Sequence, residues 1–539
     1  MSRTPIRAAF TARRSPRIAA VALLCLLGAS RLHADGPPLR IGTIRVQSLD
    51  VYSPAEELRG GFYRLTDKLH IETRPSLIRG FLLFKEGDPY IPERLEETER
   101  NLRALSFLKS AKVTAEAPHD GVVDVTVVTQ DSWSLEPASD AGMKGGVSTF
   151  GVSLTDTNLL GWGRQLGLSY DKGVTRNRAA IDYRDPALPF PYWHTRLTWA
   201  QNSDGFERTA GVIKPFYSFT TPSAFTFFFT NLRQHDTLYE AGRVSEIFAQ
   251  HHQEAIASYG VALAPNDYTA NRLTFGYHLL FDSFGDTHRN PYDFLPGDRK
   301  FHYLFTRFDR IDNDFVTMDY VDRDMRLQDF NLGEQFSTEL ALSPRSFGSP
   351  STTGLVRVSE ARGILLRPGS FVLPQAGFET RLDHGLQNGI VFAGAKYVHR
   401  FDTDRPQTLV GRIVVNSGWR LDHDVQFFAD GGNGLRGYRL HSFAGSRNII
   451  MNLEDRLYLG RELLQLVSPG VVAFVDSGNA TYGGFARLMR LKTDIGIGLR
   501  LGLPRTPKNS LRFDVALPLN RDAFGRRGVV VSFSSGQAF

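Results

Sequence analysis

The chain has 539 residues, a formal net charge of +6, 12% aromatic residues and one cysteine, Cys25. This length exceeds the number of residues that usually fold around a single hydrophobic core in a soluble protein. A single thiol excludes an internal disulfide or a metal site with several thiolate ligands. No apolar run approaches the roughly 20 residues of a membrane-spanning helix, which excludes a helical membrane protein.

The first 34 residues have the order of a secretory signal. Arginines precede an apolar run at 18–27, small residues follow, and Ala34 is the expected last residue before cleavage. The segment holds six arginines and no acidic residue, so its removal takes the net charge from +6 to zero. The excess positive charge therefore belongs to the signal and does not argue for nucleic-acid binding.

Residues 41–131 predict a small α+β domain, because apolar residues recur first with strand spacing and then with helical spacing. Pro92 suits the first turn of the second helix. The segment 55–70 has no assignment. The predicted elements, in chain order, are a strand at 41–51, helices at 75–84 and 92–107, and a hairpin of strands at 111–117 and 122–128.

Residues 145–539 alternate between strand and turn patterns, which is typical of a transmembrane antiparallel β-barrel. At about 25 residues per strand and connection, this length predicts 16 strands, an even number as in bacterial barrels. Long polar loops are expected at 309–326 and 433–446. The predicted fold class is therefore mainly β, a membrane barrel behind one N-terminal α+β domain.

A glycine-rich stretch at 431–438, Gly-Gly-Asn-Gly-Leu-Arg-Gly-Tyr, carries an arginine, and Asp476 follows in a later strand pattern. A planar guanidinium suits bidentate pairing with a carboxylate, and a barrel lumen is a place where such a pair can be buried and still solvated. The alternative is a hairpin tip, for which Gly-Asn-Gly is common turn chemistry, beside an unrelated strand.

These features together resemble the BamA/TamA-type outer-membrane assembly factors of the bacterial surface antigen superfamily. Residues 435–438 are similar to the family's Arg-Gly-aromatic loop motif, 474–478 to its Phe-x-Asp-x-Gly strand motif, and 154–163 to the turn after its first barrel strand. Five strands predicted after the loop agree with a sixteen-stranded member. Leu435 stands where valine is more usual, and one POTRA-like domain, 41–131, replaces the several of full assembly factors.

The resemblance implies that the loop folds back into the barrel, where Arg436 meets Asp476. It also implies a weak seam between the first and last strands, about 146–156 and 528–538. We expect the loop glycines at 431, 432, 434 and 437 to let the backbone turn tightly at positive φ and approach the barrel wall. The implied functional residues are the lumenal loop motif Gly432, Leu435, Arg436, Gly437 and Tyr438, the wall motif Phe474, Asp476 and Gly478, and the C-terminal assembly signal Phe533, Gly536 and Phe539, with Phe539 continuing the face of Phe533.

The implied function is insertion or translocation of protein clients at the bacterial outer membrane, without enzymatic chemistry, cofactor or metal. The expected partners are outer-membrane lipid, unfolded or nascent proteins that reach a POTRA-like domain in the periplasm, and periplasmic assembly proteins, but not nucleic acid. Two alternatives stay open: a dedicated two-partner-type secretion transporter, and a passive pore or lipid-handling barrel.

Other chemistry has little support in the residue pattern. His251 and His252 are adjacent on a predicted strand and point to opposite faces, so they cannot share a metal ion. Asp309, Asp312 and Asp314 are interpreted as a solvated acidic loop in preference to a cation site. The sequence contains no Gly-x-Ser-x-Gly elbow before a helix and no phosphate-binding loop.

Overall fold

The structure is a computed structural model that describes residues 39–51, 71–144, 147–173, 175–287, 295–463, 467–503 and 510–539. The predicted signal at 1–34 and the unassigned segment 55–70 lie outside the described residues. No helix among those described is long and apolar enough to cross a membrane.

A small α+β unit comes first, in the predicted strand–helix–helix–strand–strand order. Strands β1 and β3 pair in parallel and β2 pairs with β3 antiparallel, which gives the sheet order β1-β3-β2. Val123, Val125 and Val127 alternate onto one buried face of β3, and Val125 and Val127 belong to the core that β3 shares with the helices. The elements are β1 Arg40–Leu49, α1 Pro75–Gly80, α2 Pro92–Ala104, β2 Leu108–Ala115 and β3 Val122–Asp131.

The rest of the described chain is dominated by strands. The first half comprises β4 Leu135–Lys144, β5 Val147–Leu159, β6 Arg164–Lys172, β7 Asn177–Asp185, β8 His194–Asn202, β9 Gly205–Lys214, β10 Ser223–Glu240, β11 Arg243–Leu263, β12 Thr269–Asp286, β13 Arg299–Asp312, β14 Phe315–Met318, β15 Gln328–Asn331 and β16 Glu334–Ser343. The second half comprises β17 Thr353–Arg362, β18 Ile364–Arg367, β19 Ser370–Leu382, β20 Leu386–Phe401, β21 Gln407–Trp419, β22 Phe427–Ala429, β23 Phe443–Gly445, β24 Arg447–Tyr458, β25 Ser468–Thr481, α3 Phe485–Leu488, β26 Lys492–Gly502, β27 Ser510–Pro518 and β28 Val530–Ser535. A 3₁₀ turn at Arg345–Phe347 follows β16.

All of these strands except β14, β15, β22 and β23 belong to one large antiparallel sheet, whose neighbours follow chain order. The described sheet contains 21 strands, of which β17 and β18 are two segments of one strand because both pair with β19. The prediction of 16 strands was therefore wrong. The assumed spacing was too long, since some connections, such as 203–204 and 241–242, have only two residues. The five strands predicted after the glycine-rich loop are confirmed as β24 to β28.

The sheet also begins earlier than residue 145, because β4 starts at Leu135 and pairs along its length with β5. The last strand, β28, meets β4 at one register pair, Phe533 opposite Met143. The predicted seam at 146–156 was therefore one strand too late. A single pair joins β28 to β4, whereas ten join β4 to β5.

The two faces of the large sheet differ in chemistry. On β26, Ile495, Ile497 and Leu499 point to an exposed face, while Asp494 and Arg500 point to a buried one. We call these the outer and inner faces. Exposed aliphatic side chains and buried charged side chains are the reverse of the arrangement in a water-soluble protein. This arrangement suits a sheet that has lipid on its outer side.

Successive connections lie at alternate ends of the sheet because neighbouring strands are antiparallel. The β9–β10 connection lies at the end near the small unit, since the backbone N–H of Phe219 donates to Glu97 of α2 at 2.9 Å. By the same alternation, the connection from β13 to β16 lies at this near end and the 420–446 connection, between β21 and β24, lies at the far end. Residues 309–326 are therefore not on the side of the glycine-rich loop.

The β13–β16 connection, 313–333, is an insertion with its own hairpin, β14–β15, and its own core. Met318, Val321 and Leu332 of the insertion pack against Phe371 of β19 and Val398 of β20. Asp309 and Asp312 belong to β13, where Asp309 accepts hydrogen bonds from Arg307 and Ser337, and Asp312 from Thr269. The prediction of a solvated acidic loop was thus wrong for Asp309 and Asp312, which are half-buried strand residues with hydrogen-bond partners, whereas Asp314 is exposed at the start of the insertion.

Candidate functional site

The glycine-rich loop is organised by Asp430, which the sequence analysis did not single out. Its Oδ1 atom accepts the backbone N–H groups of Gly432, at 2.8 Å, and Asn433, at 3.1 Å. Its Oδ2 atom accepts the backbone N–H of His441 at 2.5 Å. Aspartate side chains in turns commonly accept hydrogen bonds from the backbone N–H groups that follow them. The position of Asp430 immediately before two glycines could therefore have predicted this turn from the sequence.

Arg436 extends from this turn onto the inner face and meets Asp476 of β25, as predicted. Its Nε donates to Asp476 Oδ2 at 2.7 Å and its Nη2 to Oδ1 at 2.9 Å. The arginine is 2% exposed and the aspartate is fully buried. This is the bidentate geometry that a guanidinium provides and an ammonium does not.

The pair belongs to a larger buried network on the inner face. Arg436 Nη1 lies 3.6 Å from Glu454 and 3.7 Å from Asp514. Arg500 bridges the same two carboxylates, at 2.7 Å to Glu454 and 2.6 Å to Asp514. Arg456, fully buried, approaches Glu454 at 3.4 Å. Alternating cations and carboxylates give each buried charge an opposite neighbour, without which its burial is costly.

The Phe-x-Asp-x-Gly motif has a direct physical explanation. Phe474, Asp476 and Gly478 occupy alternate positions of β25, so all three point to the inner face. Each contacts the loop: the Phe474 ring centre lies 3.4 Å from Arg436 Cζ, and Asp476 binds its guanidinium. An added Cβ at Gly478 would lie 2.5 Å from the Ile449 carbonyl oxygen of the neighbouring strand and 3.3 Å from the Leu435 side chain, so the glycine fits both the strand and the loop.

The loop glycines act in different ways from one another. Among positions 431, 432, 434 and 437, only Gly434 has a positive φ, at 118°. The expectation of positive φ at the other three was wrong. Gly437 instead permits close approach, because a Cβ there would lie 2.5 Å from the Cβ of Asp494 on β26. Gly432 is exposed and donates to Asp430.

Leu435 and Tyr438 anchor the loop by packing. Both are fully buried in a cluster with Ala429, Ile450 and Ala480. The Tyr438 hydroxyl donates to the Thr493 carbonyl at 2.9 Å, which satisfies its polar end. The structure therefore brings all the predicted loop and wall residues together except Gly432, which contributes through the turn.

A second set of charges holds the opposite half of the loop. Arg299 of β13 donates to Asp424 through two hydrogen bonds, of 2.8 and 2.7 Å, and to Asp422 at 2.9 Å. Arg381 of β19 also pairs with Asp422, at 2.8 Å. We call this group the second clamp. Sequence reasoning missed it because its arginines and aspartates lie on three segments with no shared motif.

The predicted C-terminal signal divides between the two faces. Phe533 packs on Phe513, which is exposed on the outer face, with ring centres 5.4 Å apart. Gly536 has a φ of 81° and ends the strand pattern. The Phe539 ring then lies 5.6 Å from the guanidinium carbon of Arg456. The expectation that Phe539 continues the face of Phe533 was wrong, because the turn at Gly536 carries the last residues to the inner side.

The adjacent histidines behave as expected from strand alternation. His251 contacts Asn231, whereas His252 contacts Asp282 at 2.7 Å. Within the residues that the structure describes, no group of three or more histidine, cysteine or acidic side chains has the arrangement of a metal site.

A large antiparallel sheet with an apolar outer face, and a loop held on its charged inner face, is the architecture expected of an outer-membrane β-strand protein. Residues 390–539 match the model of the Omp85 superfamily domain. The C-terminal part of the chain therefore carries an Omp85 superfamily domain, in agreement with the resemblance found in the sequence. Members of the family are transporters or assembly factors.

Solved structures similar to this chain include BamA of Haemophilus ducreyi lacking POTRA domains 1–3, at 12% identity and a TM-score of 0.37 over 92% of this chain and 84% of that one. CdiB of Acinetobacter baumannii matches at 13% identity and 0.46, over 93% and 74%, and CdiB of Escherichia coli at 12% and 0.46, over 95% and 92%. No curated protein sequence matches. With TM-scores this low, the assignment rests on the family domain.

Proposed function

We propose that the protein inserts or translocates protein clients at the outer membrane, as a closed β-barrel with a POTRA-like domain at its periplasmic mouth. The observation that most directly supports this proposal is the buried bidentate pair of Arg436 and Asp476. This pair joins the Arg-Gly-aromatic loop motif to the Phe-x-Asp-x-Gly strand motif. The pairing of β28 with β4 supports closure of the sheet. Residues 1–34 would serve as the export signal.

The α+β unit supports the periplasmic assignment through its position. Helix α2 lies against the near-end connections, where Arg94 pairs with Asp267 at 3.0 Å and Arg103 pairs with Asp329 at 2.7 Å. A client that approaches from this end meets the small unit first. The edges of its three-stranded sheet, β1 and β2, are the surfaces on which an extended client could add a strand.

The filled inner face argues against the passive pore. The glycine-rich loop covers it from the far end and the insertion 313–333 from the near end. Arg456 donates to the carbonyl of Val321 of the insertion, and Lys396 pairs with Asp322 at 2.6 Å. Two segments held within the lumen leave less room for free diffusion than an open, water-filled channel does.

The test is depletion of the protein, followed by proteomics of the outer membrane and of the medium. Loss of several barrel proteins supports assembly, and loss of one secreted product supports the two-partner alternative. Complementation with wild-type protein, Arg436→Ala and Arg439→Ala connects the phenotype to the loop, because Arg439 is exposed. An unchanged proteome together with ion conduction by the purified protein would replace the proposal with the pore.

A further inference from the structure

A cavity of about 760 Å³ lies between helix α2, the insertion and the inner face of the large sheet. This volume is within the range of about 300–1,000 Å³ typical of ligand sites. Five arginines but only two carboxylates line it. The charged lining residues are Arg100, Arg103, Arg272, Arg323 and Arg362, with Glu97 and Asp329.

Arg100 and Arg272 have no carboxylate within ion-pair distance among the described residues. Arg100 donates to the Asn313 amide oxygen at 3.2 Å and lies 4.4 Å above the Phe315 ring centre. Arg272 donates to the Ser218 carbonyl at 3.1 Å, and its Nε is buried with no hydrogen-bond partner in the described structure.

Arg103, on the same helix, provides an internal comparison. It pairs with Glu99 and, through Nη2, with both carboxylate oxygens of Asp329, at 2.7 and 2.9 Å. The charge of Arg103 is therefore neutralised by carboxylates of the helix and of the insertion, whereas Arg100 contacts the insertion only through a neutral amide and an aromatic ring. Arg100 and Arg272 are stabilised instead by neutral oxygens and aromatic rings, which leave their charges available to an incoming anion.

Glu97 acts on both of these arginines, together with Asp309 on Arg272 and Asp329 on Arg100, but none of these carboxylates lies within ion-pair distance of either guanidinium. Burial raises the pKa of Glu97 to about 7, against the lowering effects of the Phe219 amide, Arg100 and Arg272. A substantial fraction is therefore uncharged near neutral pH. The cavity keeps a net positive charge even when both of its carboxylates are ionised.

We propose that this cavity binds an acidic segment of an extended polypeptide, with carboxylates on Arg100, Arg272 and Arg323. The inference rests on the proposed function, because it names the chemistry of the client. Guanidinium groups bind carboxylates with strong, directional hydrogen bonds, and the rings of Phe216 and Phe315 offer apolar contact beside them. Arginine and aromatic side chains are the residue types that dominate binding energy at protein interfaces.

The position of the cavity favours a polypeptide over a lipid headgroup. Arg272 is on the inner face of β12, while Phe275 of the same strand is exposed on the outer face. The sheet therefore separates the cavity from the side on which lipid would lie. Helix α2 of the small unit forms another wall, so the cavity is where a client passing from that unit to the sheet would arrive.

The test is fluorescence anisotropy with the full chain in detergent and a labelled peptide that alternates glutamate and leucine. A peptide with glutamine in place of glutamate is the control ligand. We expect the acidic peptide to bind about tenfold more tightly or better, and more weakly as salt rises. Each of Arg100→Gln, Arg272→Gln and Arg323→Gln should weaken binding severalfold, whereas Arg243→Gln, at the far end, should not.

A crosslinking arm keeps the test informative if a variant folds poorly. A photo-reactive residue at the exposed Leu327, which lines the cavity, should capture the acidic peptide, and one at Tyr482, at the far end, should not. The proposal would be overturned if the two peptides bound equally or if the arginine variants kept the wild-type affinity. It would also be overturned if short-chain phosphatidylglycerol displaced the labelled peptide while the unlabelled acidic peptide did not. Peptide binding is measured without assembly activity, so an unchanged proteome after depletion would count against the proposed function and not against the peptide site. Failure of the peptide to bind would count against the site and not against the proposed function.

Discussion

Arg299 and Asp424 form a two-bond ion pair, with distances of 2.8 and 2.7 Å, at β13, whereas Arg436 and Asp476 pair at β25 of the same sheet. The loop between β21 and β24 is therefore braced at both ends, by the second clamp and by the motif pair. The two pairs differ in burial. Arg436 and Asp476 are 2% and 0% exposed, and Arg299 and Asp424 are 14% and 9% exposed, so we expect unequal costs for their loss.

Replacing Arg436 with alanine leaves Asp476 buried without its cation, which costs about 3–5 kcal/mol for a desolvated pair. We expect loss of heat-resistant folded protein on gels, or loss of activity in complementation. Arg436→Lys should recover little, because lysine cannot pair bidentately. Arg439→Ala is the matched control, and equal defects in the two alanine variants would remove the special role of the pair.

Asp424→Asn should loosen the second clamp while the protein stays folded. The substitution keeps the shape but removes a charge-assisted contact worth about 1.5–3 kcal/mol, and the higher exposure of this pair favours the low end. Hydrogen exchange of residues 420–430 should accelerate, while 431–438 stay protected by Arg436. Asp404→Asn, exposed at the near end, is the control. Uniform acceleration across the loop would show that the two ends are not held independently.

Shortening the insertion should open the near end of the sheet. Met318 and Gln328 are register partners, so an Asn-Gly turn can replace 319–327 and close the hairpin. This removes the contacts to Arg456 and Lys396 but retains the pairing of Arg103 with Asp329. We expect higher conductance in planar bilayers.

A control of equal size is available at the far end. Ser343 and Thr353 are also register partners, so the nine residues 344–352 can be replaced by the same turn. Conductance should then stay at the wild-type level. If both shortened proteins conduct alike, the insertion does not seal the lumen.

The docking of the small unit should weaken as pH rises from about 4.5 towards about 7. Glu97 has a folded pKa of about 7, above its ordinary value of 4.5, so the folded state binds more protons across this interval and loses stability as they leave. Energy transfer between dyes on Lys112→Cys and Asp404→Cys can follow docking in urea. Glu97→Gln should flatten the dependence and Glu96→Gln, exposed on the same helix, should preserve it. A profile that persists in Glu97→Gln would assign the effect to another group.

A disulfide across the seam tests whether separation of β28 from β4 is part of client handling. Met143 and Phe533 are register partners there, so cysteines at both positions should crosslink and block activity until reduced. Cysteines at Met143 and Ser148, partners across β4 and β5, are the control. Full activity of the crosslinked seam would exclude a gate at this position.

The sequence determined the local features that depend on residue order alone. Alternation along β25 placed Phe474, Asp476 and Gly478 on one face, and the chemistry of a guanidinium and a carboxylate made Arg436 and Asp476 candidate partners, which the family resemblance then favoured over an unrelated turn and strand. The order of elements in the small unit and the five strands after the loop followed from hydrophobic spacing in the same way.

Only the tertiary structure decided the features that depend on register and on distant segments meeting. The number of strands, the seam at β4, the inward course of Phe539, the second clamp and the arginine-lined cavity all join residues far apart in the chain. A local pattern specifies which face a side chain occupies but not which strand lies opposite it. That pairing is set by how all the strands share one sheet, and no single segment of the sequence carries that information.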